Sequence, residues 1–294
     1  MGGSVRVPAI SSPGVLAPVP RVPPGINLPD GPLLVPPANT AEPYAWQLLP
    51  EGHLYGAYLA GDRESRLALH WVYERTLGWV WDPTIGGRVG LLRYGTESAL
   101  WPEGFQLDVE AAAFPRVMSE GPRDLVSTDF RYGFPLTWRR GAWESKFGYY
   151  HLSSHLGDEM MVARGTFDRL NYVRDSLVWG LSVRPAANVR LYAEADWAFV
   201  IDGGAKPWQF QFGLELSPIE PAGWRASPFL AVNCRLREDV DFSGNLVVQA
   251  GLRWRSQAGR LARIGLHYFN GLSDHAQFYR QFEEQIGFGV WYDY

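Results

Sequence analysis

The stretch from Tyr149 to Glu159 contains two histidines, two serines and two acidic residues. Within it, His151 and Ser153 are two positions apart, and Asn171 and Asp175 follow it along the chain. A histidine can take the proton of a serine hydroxyl, while a carboxylate or amide fixes the imidazole tautomer. The pattern predicts Ser153 as nucleophile and His151 as general base, with Asn171 or Asp175 as the orienting group.

The same residues also permit two other interpretations. They would serve equally as a hydrogen-bonded strand end that closes a loop. His155, Asp158 and Glu159 add nitrogen and oxygen ligands, but a His-x-x-x-His pair aligns on a helix and this stretch is predicted as strand and loop. We therefore predict no metal centre and no cofactor, with surface Ca²⁺ on Asp158 and Glu159 as the open exception. His155, Asp158 and Glu159 are candidate binding residues.

Alternating strands are the elements that must position these side chains. In the last twelve residues, apolar or aromatic side chains occupy every second position: Ile286, Phe288, Val290, Tyr292 and Tyr294. This period of two puts an apolar stripe on one face of a strand and a largely polar stripe on the other. A glycine followed by two alternating terminal aromatic residues is similar to the C-terminal assembly signal of bacterial outer-membrane β-barrels.

The alternation recurs along the chain and predicts an all-β, antiparallel, up-and-down transmembrane β-barrel of about twelve strands. The apolar stripes run about 10 residues, whereas strands of soluble proteins usually run about 5–6. A soluble sandwich or lipocalin-like barrel is the alternative. The predicted strands are 66–74, 86–94, 104–114, 125–138, 143–152, 173–183, 188–199, 207–217, 228–237, 244–255, 260–270 and 282–294.

The even strand count fits a bacterial barrel with short periplasmic turns and longer outer loops. The segments 153–172, 200–206 and 271–281 are the predicted outer loops. Counting by twos places His151 and Ser153 on the lipid-facing side, near the outer end of their strand. Asp274 and His275, in the last outer loop, are expected to be solvated. Charges of both signs on the inward stripes predict a lumen filled by ion pairs.

Composition excludes several classes of protein. A net charge of −4 gives no general basic field for nucleic acid. Cys234 is the only cysteine, which excludes an intrachain disulfide and a cysteine-based metal cluster. No apolar run approaches the roughly 20 residues of a transmembrane helix.

The N-terminal part of the chain differs from the rest. Residues 1–45 hold 11 of the 22 prolines and are predicted to form a disordered leader or linker. Residues 46–294 are predicted to form a single barrel domain. No apolar core of roughly 7–15 residues follows a positive charge, so no secretory signal is visible, although the bacterial outer membrane is the expected location.

Two resemblances add to these predictions. The His-x-Ser pair resembles that of outer-membrane phospholipase A and the lipid A deacylases, barrel enzymes whose sites face lipid. At a larger scale, about residues 46–294 resemble the bacterial family called domain of unknown function 1207, which implies an envelope β-barrel and brings no established activity. The segments that carry this likeness are 49–52, 58–61, 64–66, 92–95, 149–159, 171–175 and 269–271.

The sequence thus predicts an outer-membrane β-barrel whose specific activity is open. A structural role or binding through the outer loops is the first expectation. A serine acyl hydrolase acting on phospholipid or lipid A is the alternative, and a narrow channel is a further one. The expected partners are the lipid bilayer of the outer membrane and the barrel assembly machinery, and no nucleic acid.

Overall fold

The computed structural model describes residues 42–165, 169–221 and 224–294. They form a closed antiparallel barrel of twelve strands, β2 to β13, and a short strand β1 that pairs with β3. Residues 1–41 of the proline-rich stretch lie outside the described residues, and the predicted boundary at residue 45 falls at the first residue of β1. The strands are β1 Ala45–Leu48, β2 Leu67–Glu74, β3 Gly78–Gly95, β4 Gly104–Met118, β5 Leu125–Arg140, β6 Trp143–Leu156, β7 Val173–Ala186, β8 Val189–Asp202, β9 Trp208–Leu216, β10 Ser227–Arg237, β11 Ser243–Arg255, β12 Leu261–Leu272 and β13 Phe282–Asp293.

The barrel closes because the last strand pairs with the first strand of the barrel. β13 runs antiparallel to β2, from Gln285 opposite Glu74 to Tyr292 opposite Leu67. One helix, α1 (Asp158–Arg164), follows β6, and short 3-10 turns occupy Glu238–Val240 and Ala276–Phe278. None of the helices among the described residues is both long and apolar enough to cross a membrane.

The two faces of the strands have opposite chemistry. Outward side chains are apolar and exposed, such as Phe288 at 57% and Ile286 at 61%, whereas inward Arg253 and Glu144 are fully buried. A soluble barrel would bury its apolar stripe instead. The apolar-out, polar-in arrangement is that of outer-membrane-type barrels, in which lipid surrounds the wall and polar groups satisfy one another inside. The prediction of an all-β, closed, antiparallel barrel of twelve strands is confirmed, whereas the C-terminal assembly signal stays a prediction.

The connections define two ends of the barrel, which we call the terminal end and the loop end. The terminal end holds the C-terminus and the connections 96–103, 141–142, 187–188, 217–226 and 256–260. The loop end holds 157–172 and 273–281, both predicted as long outer loops. Residues 153–156 were predicted in that first loop, but they continue strand β6, so Ser153 lies within a strand.

A backbone segment, residues 49–66, fills the lumen in addition to side chains. Its Tyr58 ring stacks on that of Tyr192 at 3.9 Å between centroids. The backbone N–H of Leu59 donates to Glu215 Oε1 at 2.8 Å, and Arg190 donates to the carbonyl of Gly56 at 2.9 Å. We call residues 49–66 the plug segment. The predicted ion-paired lumen is present, and part of it pairs with this segment.

The expectation that Asp274 and His275 are solvated is wrong. His275 is 6% exposed, and Asp274 accepts a hydrogen bond from Asn245 at 2.7 Å. The loop 273–281 folds back over the mouth of the barrel, where Ala276 and Tyr279 join a buried cluster with Tyr172. Burial of these apolar residues therefore brings the neighbouring Asp274 and His275 into the interior of the barrel. Burial lowers the pKa of His275 well below its usual value.

Candidate functional site

Strands β6 and β7 bring two of the predicted catalytic residues together. His151 lies directly opposite Asp175 in the register, and its Nδ1 is 2.7 Å from Asp175 Oδ1. The Tyr149 hydroxyl donates to the same oxygen at 2.8 Å. The His151 and Asp175 side chains are 24% and 21% exposed on the outward face.

This geometry fixes the tautomer of His151. Asp175 can only accept a hydrogen bond when ionised, so Nδ1 of His151 carries the proton. The lone pair then lies on Nε2, the nitrogen that a general base would use. The Tyr132 ring stacks on the imidazole at 5.0 Å between centroids and 29° between planes, which restricts the orientation of the ring.

Ser153 lies on the same outward face as His151, two residues nearer the loop end. It pairs with Phe130 of β5 and Val173 of β7. No hydrogen bond reaches its hydroxyl from any residue the structure describes. Strand geometry separates the two Cα atoms by about 6.5–7 Å, so Ser153 is the next outward residue of β6 after His151 toward the loop end. In structures without substrate, hydrogen bonds of this kind are often long or absent.

The other candidate orienting residue, Asn171, does not reach His151. Its side-chain amide donates to Asp202 Oδ2 at 2.7 Å on an exposed surface. Asn171 precedes the first residue of β7, so it is not part of the alternation that places Asp175. Of the two candidates, the structure brings only Asp175 to the histidine.

The surface around this group is apolar. The pairing of β7 with β8 shifts register between Asp175 and Ser176, where Val200 and then Ala198 are the partners. Phe199 is the additional residue of this β-bulge, and Phe199, Val200 and Ile201 are all exposed in succession. Bulges often re-aim side chains beside functional sites. Here the bulge puts three adjacent apolar side chains next to the His151–Asp175 pair.

His155, Asp158 and Glu159 do not converge on the pair among the described residues. His155 is exposed and meets the Phe130 ring edge-on at 5.8 Å. Asp158 and Glu159 are exposed in the first turn of α1, where negative charge complements the helix dipole. Their part in binding an ion or a ligand stays a prediction.

A group of titratable side chains also lies in the lumen, where the alternation of the strands places His70 and His267 on inward faces. Asp62 of the plug segment, His70 and His267 have potential ligand atoms within 4.8 Å of one another. However, Trp291 donates to Nε2 of His70 at 2.8 Å, and Gln249 donates to Nδ1 of His267 at 3.3 Å. Each ring therefore carries its proton on the other nitrogen. This favours hydrogen-bonded histidines over a metal centre.

Sequence reasoning also missed the two tyrosines of the outward site. Tyr149 belongs to the same outward stripe as His151, so the period of two could have identified it. Tyr132 lies opposite His151 on β5, and no sequence signal gave that register.

Comparisons with solved structures find barrels of similar fold. Outer membrane phospholipase A from Escherichia coli matches with a TM-score of 0.52 and 13% identity, over 78% of this chain and 89% of that chain. The outer membrane phospholipase (OMPLA) dimer with bound calcium from Salmonella typhi matches with a TM-score of 0.52 and 12% identity, over 78% of this chain and 90% of that chain. Identities this low show a shared fold alone.

A search of curated proteins found no match to this chain. A family model described as "Protein of unknown function (DUF1207)" matches residues 34–294. This range includes the whole barrel, the plug segment and the outward His151 site. The chain belongs to the DUF1207 family.

Proposed function

We propose that this protein is a serine acyl hydrolase of the outer membrane that acts on ester-linked lipid at the outward surface of the barrel. The observation that carries the proposal is the 2.7 Å contact between His151 and Asp175, with Ser153 on the same outward face. A serine, a histidine and a carboxylate on one outward face, beside exposed apolar side chains, are the groups that hydrolysis of a lipid ester would need there.

The proposed reaction has two halves, formation of an acyl-serine and its hydrolysis, and Ser153, His151 and Asp175 take part in both. Ser153 Oγ bonds to the carbonyl carbon of the ester, and its proton passes to Nε2 of His151. The acyl–oxygen bond then breaks, and the alcohol leaves with that proton. Water attacks the acyl-serine, His151 takes one of its protons, and that proton returns to Ser153 Oγ as the bond to the acyl carbon breaks. The product leaves as the carboxylic acid, which gives up its remaining proton to solvent. Asp175 stays ionised and stabilises the imidazolium in both halves.

The surroundings support a lipid as the substrate. Phe199, Val200 and Ile201 are exposed beside the pair and would contact acyl chains. The barrels of similar fold include the outer membrane phospholipases of Escherichia coli and Salmonella typhi. That likeness adds plausibility to a lipid ester. Asp158 and Glu159 are the residues that we expect to bind Ca²⁺.

The test compares refolded wild type with Ser153→Ala on phospholipid and on lipid A, with and without Ca²⁺. The matched control is Ser145→Ala, which changes a serine on the same face of the same strand, where it donates to the carbonyl of Gly180. Removal of a catalytic nucleophile should lower the rate by about 10³-fold or more, and the control should leave it unchanged. Hydrolysis that persists in Ser153→Ala, or no hydrolysis by wild type, would refute the proposal.

A further inference from the structure

A cavity with about 900 Å³ of empty space, part of it continuous with solvent, lies inside the terminal end of the barrel. Residues of the plug segment line one side, and the barrel wall lines the other. Five arginines line it: Arg88, Arg139, Arg184, Arg190 and Arg255. Among the described residues, the only side-chain carboxylates in the lining are those of Glu215 and Asp293. The cavity is on the opposite face of the wall from the His151 site and does not depend on the proposed hydrolysis.

The nearby carboxylates are too few for these guanidinium groups. Glu144, which is fully buried, pairs with Arg139 at 3.1 Å, Arg184 at 3.3 Å and Arg190 at 3.2 Å. Asp293 is shared by Arg66 and Arg263, each at 3.2 Å. An arginine side chain stays protonated in proteins. Arg190 also pairs with Glu215 at 3.5 Å, and Arg88 pairs with Asp108 and Glu110. The shortage of negative charge therefore falls on Arg139 and Arg184, which share Glu144 with Arg190.

Two further arginines have no carboxylate partner among the described residues. Arg255 donates only to the carbonyl of Gly259, at 3.1 Å, and Arg253 only to the carbonyl of Glu220, at 3.5 Å. The buried Nε atoms of Arg139, Arg253 and Arg255 have no hydrogen-bond partner, and neither has Nη1 of Arg253. Arg253 is fully buried and Arg139 is 4% exposed. Buried charged donors without partners are costly to a fold, which points to a missing acceptor.

The arrangement also holds the guanidinium groups in place. The Trp101 ring lies under both Arg139, at 4.0 Å to the ring centroid, and Arg184, at 5.3 Å. Planar guanidinium groups donate paired hydrogen bonds that match the oxygens of phosphate and carboxylate. Because the excess positive charge comes from more than one arginine, a doubly charged anion would neutralise it better than a singly charged carboxylate.

We propose that this cavity is a binding site for a phosphate group, carried by free phosphate or by a small phosphate ester, and held chiefly by Arg139, Arg184 and Arg255. The cavity opens toward the terminal end. A bound phosphate would accept hydrogen bonds from the unpartnered donors and would bridge the plug segment to the barrel wall. Binding should therefore stabilise the folded barrel.

The test is calorimetric titration of inorganic phosphate, and separately of glycerol 3-phosphate, into the refolded full chain in a phosphate-free zwitterionic detergent. Wild type should bind at least one of the two saturably, and Arg255→Gln should bind it about tenfold or more weakly. The control is Arg260→Gln, because Arg260 is an exposed arginine at the same end of the barrel and is not part of the lining. It should bind like wild type.

A second readout separates ligand binding from a structural role. Arg255→Gln removes an unpaired charge, so without phosphate it should resist urea unfolding as well as wild type or better, and it should lose the protection that phosphate gives. Arg184→Gln, at another of the three arginines proposed to hold the phosphate, provides the same comparison of binding with Arg260→Gln if Arg255→Gln does not refold. Tighter binding of inorganic phosphate assigns the free ion, and tighter binding of glycerol 3-phosphate assigns an ester. No saturable binding of either up to the order of 10 mM, or equal binding by Arg255→Gln and Arg260→Gln, would overturn the proposal.

Discussion

The substitution Asp175→Asn tests whether the carboxylate orients and stabilises His151. Asparagine keeps the shape of the side chain, and its carbonyl oxygen can still accept from Nδ1 of His151. What it removes is the negative charge 2.7 Å from the imidazole. The neutral histidine is then affected little, whereas the imidazolium that forms in the transition state loses its counter-charge.

The size of the effect follows from the contact that is lost. A hydrogen bond to a charged group contributes about 1.5–3 kcal/mol, and each 1.36 kcal/mol in the barrier is a factor of about ten in rate. Because the pair is about one-fifth exposed, solvent screens the contact in part, and we expect the lost free energy to lie toward the lower end of that range. Asp175→Asn should therefore slow activation of Ser153 by about 10- to 150-fold.

The assay is the rate at which a fluorophosphonate labels Ser153, because this reagent reports an activated serine whichever lipid is the natural substrate. Asp202→Asn is the control: it makes the same change on the neighbouring strand, where Asp202 accepts from Asn171 rather than His151. Its labelling rate should equal that of wild type. If Ser153 is labelled equally fast in wild type and Asp175→Asn, Asp175 has no orienting role and the reasoning fails.

Three further results are expected. Phe288→Arg places a charge on the outward face in the middle of β13 and should lower the free energy of unfolding in lipid vesicles by about 2–4 kcal/mol. The control Phe288→Leu should change it by close to zero. A negligible cost for arginine would mean that this face does not contact lipid. Burial lowers the pKa of His275 and keeps the side chain neutral in the folded protein, whereas in the unfolded chain it takes up a proton below about pH 6.5. The stability of wild type should therefore fall more steeply than that of His275→Gln as the pH drops from about 7.5 to about 5.5. Parallel pH profiles of the two proteins would contradict this. The plug segment fills the lumen, so wild type should show no steady conductance in planar bilayers; a stable open channel would restore the channel hypothesis.

The strand pattern could be predicted from sequence because the two faces of the barrel wall differ in chemistry along every strand. Most outward positions are apolar and most inward positions are polar or small, so a period of two repeats from Phe130 in β5 to Phe288 in β13. The strand count followed from that repeat. The boundaries were less accurate where the pattern weakens, as in β3, which begins at Gly78 rather than near residue 86.

The plug segment could not be predicted from sequence. Residues 49–66 have neither a period of two nor a helical period, because each side chain is buried by a different part of the wall. Tyr58 meets Tyr192 of β8, whereas Arg66 pairs with Asp293 of β13. Local sequence carries no information about such distant partners.

The candidate site was predicted in part for a related reason. His151 and Ser153 share a strand, so their common face followed from spacing alone. The choice between Asn171 and Asp175 depends on where β7 begins and on its register with β6, which the length and path of loop 157–172 determine. Counting back by twos treated Asn171 as a strand residue, but β7 begins at Val173. Register, unlike periodicity, is a tertiary property.

The two faces of β6 connect the outward site to the lumen. Ser154, the inward neighbour of Ser153, donates to Asp129 and accepts from Gln277 of the loop 273–281 at 3.2 Å. Asp129 in turn pairs with Arg63 of the plug segment at 3.0 Å and accepts from the backbone N–H of Ala276 at 3.1 Å. The end of β6 is thus held from inside by the plug segment and by the loop.

A catalytic group needs support of this kind, because side chains that must meet within a few tenths of an ångström require a rigid strand beneath them. Strand alternation makes the arrangement possible, since residues that alternate along β6 can serve lipid chemistry outside and a hydrogen-bonded network inside. The buried network then has a role beyond filling the lumen. It fixes the strand on which His151 and Ser153 are held for the proposed reaction.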